Sequence, residues 1–366
     1  MIAGRASSAD QLRGSGADRY RRLLDRYGPP EPSTGTLDGG FYAPPSPATP
    51  EELTTLDADE LIVYLEAFEP TGNFLEPSKS GLARALTDVV ASDPARYLTH
   101  ARRLGQLDPE YAHAATDGVC RAVSASAAVN WSAVLELCEA VVAHPRFATD
   151  GDEPGYGWRP AQMEVIRLLG VGLAGDLIDL GDRARVFAII EALAADPHPS
   201  PSDEEAYGPP NMSAEDLAAN CVRSRAIMLA VDYGIWVYRH DPGDAFSEIT
   251  ALLEDHLDPS VDPSVAVRAA IGAQFPNLVA FDRTWSARAA GTIFPAGADG
   301  RPLWEAACSV PPKDCEVGRS MVDPLGRHVL SVPGSSRGAA GLPPAPCWCS
   351  RAARRSGGRP CRHRRR

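Results

Sequence analysis

The sequence predicts an all-α protein, an array of antiparallel helical pairs stacked one on the next. Three observations predict it. Apolar residues recur at helical rather than strand spacing, cap and turn signals cut the chain into short helices, and there is neither a β-hairpin signal nor a long alternating run. With 366 residues, 44% of them apolar, the chain is long enough for one extended array or for two domains. A compact helical bundle would satisfy the same pattern.

The elements follow in order. "ADRYRRLLDRYGPP" ends a first helix at Gly28, and a Pro/Gly-rich connector fills the rest of residues 1–48. Thr49-Pro50-Glu51-Glu52 is a capping box with proline at the first helical position. Asp57 and Glu60 repeat the spacing before "LIVYLEAF". Asp-Pro recurs at 93, 108, 196, 241, 258 and 262, where the aspartate can cap free amides and the proline has no amide to lose. Between these marks Leu82, Leu86, Val89 and Val90 share one face, as do Val134, Leu137, Cys138, Val141 and Val142, and then Val186, Ile189, Ile190 and Leu193. "DLAANCVRSRAIMLAVDYGIWVYRH" is the longest run and should be the most buried helix. Residues 49–307 thus hold roughly ten to twelve helices of ordinary length, with longer loops near 146–158 and 197–212.

"SVAVRAAIGAQFPNLVAF" resembles the inner helix of a HEAT-type repeat, with Val265, Val267, Leu278 and Val279 in core positions and Arg268 on the stacking edge. Through "NCVRSRAIMLAVDYGIWV" and the Asp-Pro rhythm, residues 50–307 also resemble helical regions of large, mostly uncharacterised multidomain bacterial proteins. The resemblance implies a HEAT- or armadillo-like α-solenoid whose surface binds a partner, and it supplies no catalytic residues.

"GVGLAG", residues 170–175, matches the dinucleotide-binding pattern G-x-G-x-x-G. That turn needs a buried strand before it and a helix of some length after it. Here "RPAQMEVIRLL" precedes it, with Pro160 suited to a helix start and Glu164 and Arg167 at helical spacing, while Gly181-Asp182 interrupts soon after. The six residues are therefore expected inside a helix, small so that a neighbour can pack closely. Neither lysine follows a glycine, which removes a Walker A loop, and H-E-x-x-H, G-x-S-x-G and EF-hand patterns do not occur. The eight histidines are scattered singly. No catalytic residue, metal or cofactor is expected.

Charge and cysteine divide along the chain. The last 16 residues hold 8 arginines and no acid, which leaves 28 bases against 48 acids in the first 350, a formal −20. Such a body repels phosphate backbones. Cys120, Cys138 and Cys221 lie among apolar helical residues and read as buried filler. Residues 309–366 contain 8 prolines, 7 glycines, 11 arginines and three acids. With 34 arginines to two lysines in the whole chain, GC-rich coding is indicated, and residues 308–366 have the composition of an out-of-frame or truncated end that cannot bury a core. Cys347-x-Cys349 and Cys361-x-His363 match no standard zinc spacing. An uncapped last pair would then expose Trp285, Ile293 and Trp304 to self-association.

The polar group that stands out in the body is Asn220, Arg223 and Arg225. On one continuous helix Asn220 and Arg223 share a face, and arginine forks suit the carboxylate or phosphate of a partner. Arginines bonded to carboxylates and helix-end carbonyls between neighbouring helices would look the same in sequence. The chain is expected to be a non-catalytic interaction or scaffold segment of a larger protein. The alternative is a regulatory or sensor segment of a multidomain ATPase whose nucleotide-binding domain lies elsewhere. The start lacks the apolar core of a secretory signal, and no run reaches the roughly 18 apolar residues a membrane helix needs, so a cytoplasmic location with no membrane partner is expected.

The electrostatic reading has a direct test. Residues 1–307 should show no detectable binding to duplex DNA at physiological salt in a gel-shift titration; tight, salt-sensitive binding would contradict it.

Overall fold

The computed structural model describes residues 45–72, 76–144, 157–208, 211–241, 246–295 and 300–309. The first helix and connector expected before residue 45, most of the 146–158 loop and the tail beyond Ser309 lie outside these residues.

The described elements are helical, with no strand among them. In chain order they are α1 (Pro50–Thr55), α2 (Ala58–Ala67), α3 (Lys79–Ser92), α4 (Pro94–Leu98), α5 (Ala101–Gly105), α6 (Pro109–Ser124), α7 (Trp131–Val142) and α8 (Arg159–Ala174). After a short 3-10 turn at Leu180–Asp182 come α9 (Arg183–Ala194), α10 (Pro201–Tyr207), α11 (Ala214–Asn220), α12 (Val222–His240), α13 (Ser247–Leu257), α14 (Val265–Phe281), α15 (Arg283–Ile293) and α16 (Arg301–Ser309). The count exceeds expectation because several helices have only five to seven residues.

Local chemistry sets the starts. Both capping boxes form: Thr49 accepts from the Glu52 amide and Asp57 from the Glu60 amide, each glutamate reaching back to its cap. Of the Asp-Pro pairs, Asp93 and Asp108 cap α4 and α6 as expected. Asp196, Asp258 and Asp262 instead accept from the amides of His198, Ser260 and Ser264, forming turns. There a serine further on, Ser200 or Ser264, takes the cap. Pro242 lies outside the described residues.

One expected helix is two. At Cys221 the backbone becomes extended, with φ −112° and ψ 134°, which ends α11 and starts α12. Cys221 itself is fully buried, among Ala214, Leu217, Ala218, Ala266, Ala269, Ala270 and Ala306. The predicted faces are otherwise internal. Leu82, Leu86, Val89 and Val90 are at most 1% exposed, and Val186, Ile189, Ile190 and Leu193 are buried with them in one core running from Leu53 to Ala307.

The helices pack in series. α3 packs on α6, α6 on α8, α8 on α12, α12 on α14, and α14 on α16; α5 packs on α7, α7 on α9, and α9 closes onto α12. Neighbours in the first series run parallel where side chains fix their direction. Lys79 and Ser80, at the start of α3, bond Asp108 and Glu110 at the start of α6, and further along Arg121 pairs with Asp88. Close approach at these crossings needs glycine. A Cβ on Gly118 would fall 2.8 Å from the Thr87 carbonyl oxygen and from Val90 Cβ, and one on Gly272 would fall 2.1 Å from the Ala307 carbonyl oxygen. α16 therefore lies directly on α14. Trp285 and Ile293, expected on an uncovered face, are 3% and 0% exposed, and only Trp304 keeps surface at 36%.

Buried arginine joins helix ends. Arg268, placed on a stacking edge by the sequence, is 1% exposed and donates to the carbonyls of Leu257 and Thr292 in the last turns of α13 and α15. Burial pushes its pKa down, and Asp262 opposes that shift. Asp262, 4% exposed, accepts from His256 Nδ1 at 2.7 Å and lies 3.3 Å from Arg223 Nε. Burial alone would raise the Asp262 pKa. The His256 bond, the Arg223 charge and the Ser264 amide outweigh it and hold the carboxyl below its ordinary value.

A depressed carboxylate pKa contributes stability that is present above the unfolded-state value and is lost as pH falls through the folded value. Asp262→Asn should cost about 3 kcal/mol at neutral pH by stranding buried Arg223. Its loss of stability on acidification below the ordinary carboxylate range should be shallower than that of the parent. Urea melts across pH check both; parallel acid limbs would contradict the assignment.

Candidate functional site

Asn220, Arg223 and Arg225 do not form one group. Asn220 is exposed at the end of α11 and bonds back to the Asp216 carbonyl at 2.7 Å. Arg223 and Arg225 stand beyond the break, in the first turns of α12. Arg223 donates to the carbonyls of Asp196 at 3.2 Å and Pro199 at 2.6 Å, and pairs with Asp262. It fastens the turn after α9 to the start of α12, a structural task. Arg225 differs. It is half-buried, its Nε is enclosed without a hydrogen-bond partner, and its guanidinium makes no ion pair among the described residues.

A second arginine shares that condition. Arg159, the first residue of α8, is half-buried and, among the described residues, makes neither a hydrogen bond nor an ion pair through its side chain, with Asp203 within electrostatic reach. The other buried or half-buried arginines among the described residues are fixed: Arg96 on the carbonyls of Thr54 and Leu56, Arg183 on Glu248, Arg185 on Glu139, Arg223 and Arg268 as above.

The two open arginines stand on two helices that pack together. α8 and α12 pack together and run parallel, since Asp176 and Leu173 at the end of α8 bond Trp236 and Arg239 near the end of α12. Gly170 faces Leu229 across the seam. Arg159, Gln162, Ile166 and Gly170 follow one side of α8 at three- and four-residue spacing, and Arg225 sits one turn before Leu229 on α12. Helical side chains lean towards their own N-terminus. Arg225 is thereby carried towards the level of Gln162, at the end where both helices begin.

That end is electropositive before any side chain is counted. Neither Trp158 nor Cys221, the residues before α8 and α12, makes a side-chain cap bond, and helix N-termini carry about half a positive charge each. The flanking turn adds His198, whose pKa is lowered first by burial and then by Arg159 and Arg223, with Asp203 opposing. Asp203 is within electrostatic reach of Arg159. Burial would raise the Asp203 pKa, and the Ser200 bonds, His198 and Arg159 together bring it below its ordinary value. Glu204 is engaged elsewhere, accepting from Ser264 Oγ and from the Val265 and Ala266 amides at the start of α14. Gln162 is 0% exposed with neither amide atom bonded, and the Ser224 hydroxyl is likewise buried and unbonded. Chemically, the seam can hold an anion.

Sequence reading found Arg225 and missed Arg159, Gln162 and His198. "RPAQ" shows a helix start, but glutamine on an amphipathic helix reads as surface, and the burial of Gln162 is set by tertiary packing. The "GVGLAG" glycines lie in the last turns of α8 and at its C-cap, where a Cβ on Gly172 would strike the Trp131 ring at 2.4 Å. They serve packing, as expected. Burial raises the thiols of Cys120 and Cys221 to about 11 and about 12 and pushes the Cys138 thiol up as well. Among the described residues no group of His, Cys, Asp and Glu is placed to hold a metal, and no helix is long and apolar enough to cross a membrane. Comparison with family models, curated proteins and solved structures finds no match to this chain.

The two arginines of α12 should separate cleanly by mutation. Arg223→Ala strands Asp262 and two carbonyls and should cost about 2–3 kcal/mol. Arg225→Ala removes a cation from a positive helix end and should change stability by less than about 1 kcal/mol. Equal losses in chemical denaturation would show that the fold holds Arg225 and leaves it no open charge.

Proposed function

We propose that the chain is a non-catalytic binding and scaffolding module, an α-solenoid of stacked antiparallel pairs, whose open arginines hold an acidic group of a protein partner. The serial packing supports the stack. Parallel neighbours within a row, α3 with α6 and α8 with α12, are what successive helical pairs produce, and such arrays present long surfaces to partners. The groups that often carry covalent or acid–base chemistry are occupied by the fold: the body thiols are buried with raised pKa values, and His256 is bonded to Asp262.

The observation that carries the reading is the contrast between Arg159 and Arg225 and the other sheltered arginines. Partly desolvating a guanidinium without a partner is costly, and placing it at a helix N-terminus adds repulsion. An acidic group from outside the chain removes both costs at once.

Affinity capture tests this. The full chain and its Arg159→Ala/Arg225→Ala variant, matched in thermal midpoint, would be used as bait in extract of cells that carry the gene. The parent should retain a protein that the variant loses, and the loss should be reproduced by raised salt. Identical retention by the two baits would overturn the assignment.

A further inference from the structure

Both α13 and α15 pack on α14, and a groove of about 290 Å³ lies between them. One wall is the end of α13, with Glu254, Leu257 and the capping Asp258. The other is a single face of α15, where Trp285, Arg288, Ala289 and Thr292 recur at three- and four-residue spacing. The walls are tied at two places. Trp285 Nε1 donates to Glu254 Oε1 at 2.8 Å, and the buried Arg268 guanidinium donates at 3.1 Å to the carbonyls of Leu257 and Thr292, one from each wall. A rigid planar fork between two helix ends sets their separation, so the groove is formed before anything enters it. Ala289 keeps it open, since a longer side chain there would fill the space.

Charge divides across the groove. Glu254 is oriented by its bond to Trp285, and Asp258 by the amide and hydroxyl of Ser260, which also hold its carboxyl below its ordinary value. Both acids stand at the carboxyl end of α13, where the helix dipole is itself negative. Arg288 stands on the opposite wall. The ion pairs of this end join Arg183 to Glu248, and Arg223 and His256 to Asp262; among the described residues Glu254, Asp258 and Arg288 are in none. The division recurs between α5 and α7, where a groove of about 160 Å³ has Arg102 on one wall and Glu136 on the other.

We infer that the groove between α13 and α15 takes a basic side chain, arginine or lysine, from a segment of a protein partner that carries an acid beside it. The surface is separate from the open arginines of α8 and α12. Two oriented carboxylates on one wall call for a cation, and Leu257 and Ala289 suit the aliphatic stem that carries it. Arg288 selects the class of ligand. A metal ion or a polyamine brings positive charge alone and is repelled by Arg288, whereas a peptide segment brings an acid for it as well. The volume agrees, being at the lower limit for small-molecule pockets and suited to a side chain reaching in from a larger partner.

Fluorescence anisotropy of the full-length chain with three end-blocked heptapeptide libraries tests this. One library has a fixed central arginine with a glutamate next to it, one has glutamine in place of that arginine, and one has glutamine in place of that glutamate. The first should bind, and each of the others should bind about fivefold more weakly, the worth of one largely exposed ion pair. Glu254→Gln/Asp258→Asn, which keeps an oxygen for Trp285 and for Ser260, should erase the preference for arginine and leave that for glutamate. Arg288→Gln should do the reverse. Ala289→Leu should fill the groove and weaken binding of the first library about tenfold without lowering the thermal midpoint. Failure of the first library to bind, equal binding of all three, unchanged binding by Ala289→Leu, or tighter binding of spermidine would each overturn the assignment. So would self-association of the chain that Glu254→Gln/Asp258→Asn abolishes in sedimentation, which would make a second copy the occupant.

Discussion

The fold depends on arginine closing the carbonyl ends of its helices. Short helices leave a large share of their backbone groups unbonded, since each C-terminus has four carbonyls without an intrahelical partner. Here several of those ends lie among packed helices, where water cannot serve all of them. Arg96 covers the end of α1, Arg239 that of α8, and Arg223 the turn after α9, while Arg268 covers α13 and α15 together. A planar fork can bridge two carbonyls that belong to different elements, which a compact ammonium does less well. Arg96, Arg239 and Arg268 also sit at the negative end of a helix dipole. The near absence of lysine from this chain follows from coding, yet it leaves the fold well supplied with the side chain this task requires.

The same rule identifies what the fold does not use. At carbonyl ends an arginine is held; at amide ends it is repelled. Arg159, Arg223 and Arg225 all stand at amide ends, and Arg223 is stabilised there only because Asp262 and two carbonyls from a neighbouring turn reach it. His256 on the far side of Asp262 completes that arrangement. Among the described residues neither Arg159 nor Arg225 has a bonded carboxylate or carbonyl, although Asp203 lies within electrostatic reach of Arg159. Their positions work against the electrostatics that organise the rest of the protein, and conflicts of this kind concentrate where a ligand resolves them.

Much of the architecture was legible because it rests on local chemistry. Capping boxes at Thr49 and Asp57, the helical faces of Leu82 to Val90 and Val186 to Leu193, and the burial of Cys120, Cys138 and Cys221 are all set within a few residues of chain. No fixed spacing was legible, because paired positions along the packed series shift from 30 residues apart between α3 and α6 to 50 between α6 and α8 and 66 between α8 and α12. Insertions between helices erase a fixed spacing without disturbing the order of packing. The outer end was misjudged for a related reason. Trp285 and Ile293 are covered by elements that no local pattern pairs with them, Trp285 donating to Glu254 on α13.

The break at Cys221 is a small local deviation that separates Asn220 from Arg223 and Arg225. In an unbroken helix from Asp216 to His240, the amides of Val222, Arg223 and Ser224 would bond to carbonyls one turn back, and no helix would begin beside α8. Asn220 and Arg223 would also share a face, and the arginine would point away from Asp262. Cys221 reverses each of these outcomes. Its side chain turns into a cluster made mostly of alanines, where a larger residue would force α11, α14 and α16 apart. The chain then restarts as α12 with Arg225 as the first residue whose amide bonds back, to the Cys221 carbonyl. The preceding amides are thereby left at the seam with α8. A packing requirement on the alanine side thus accompanies a new helix end on the arginine side, and the proposed binding surface is tied to how the core is filled.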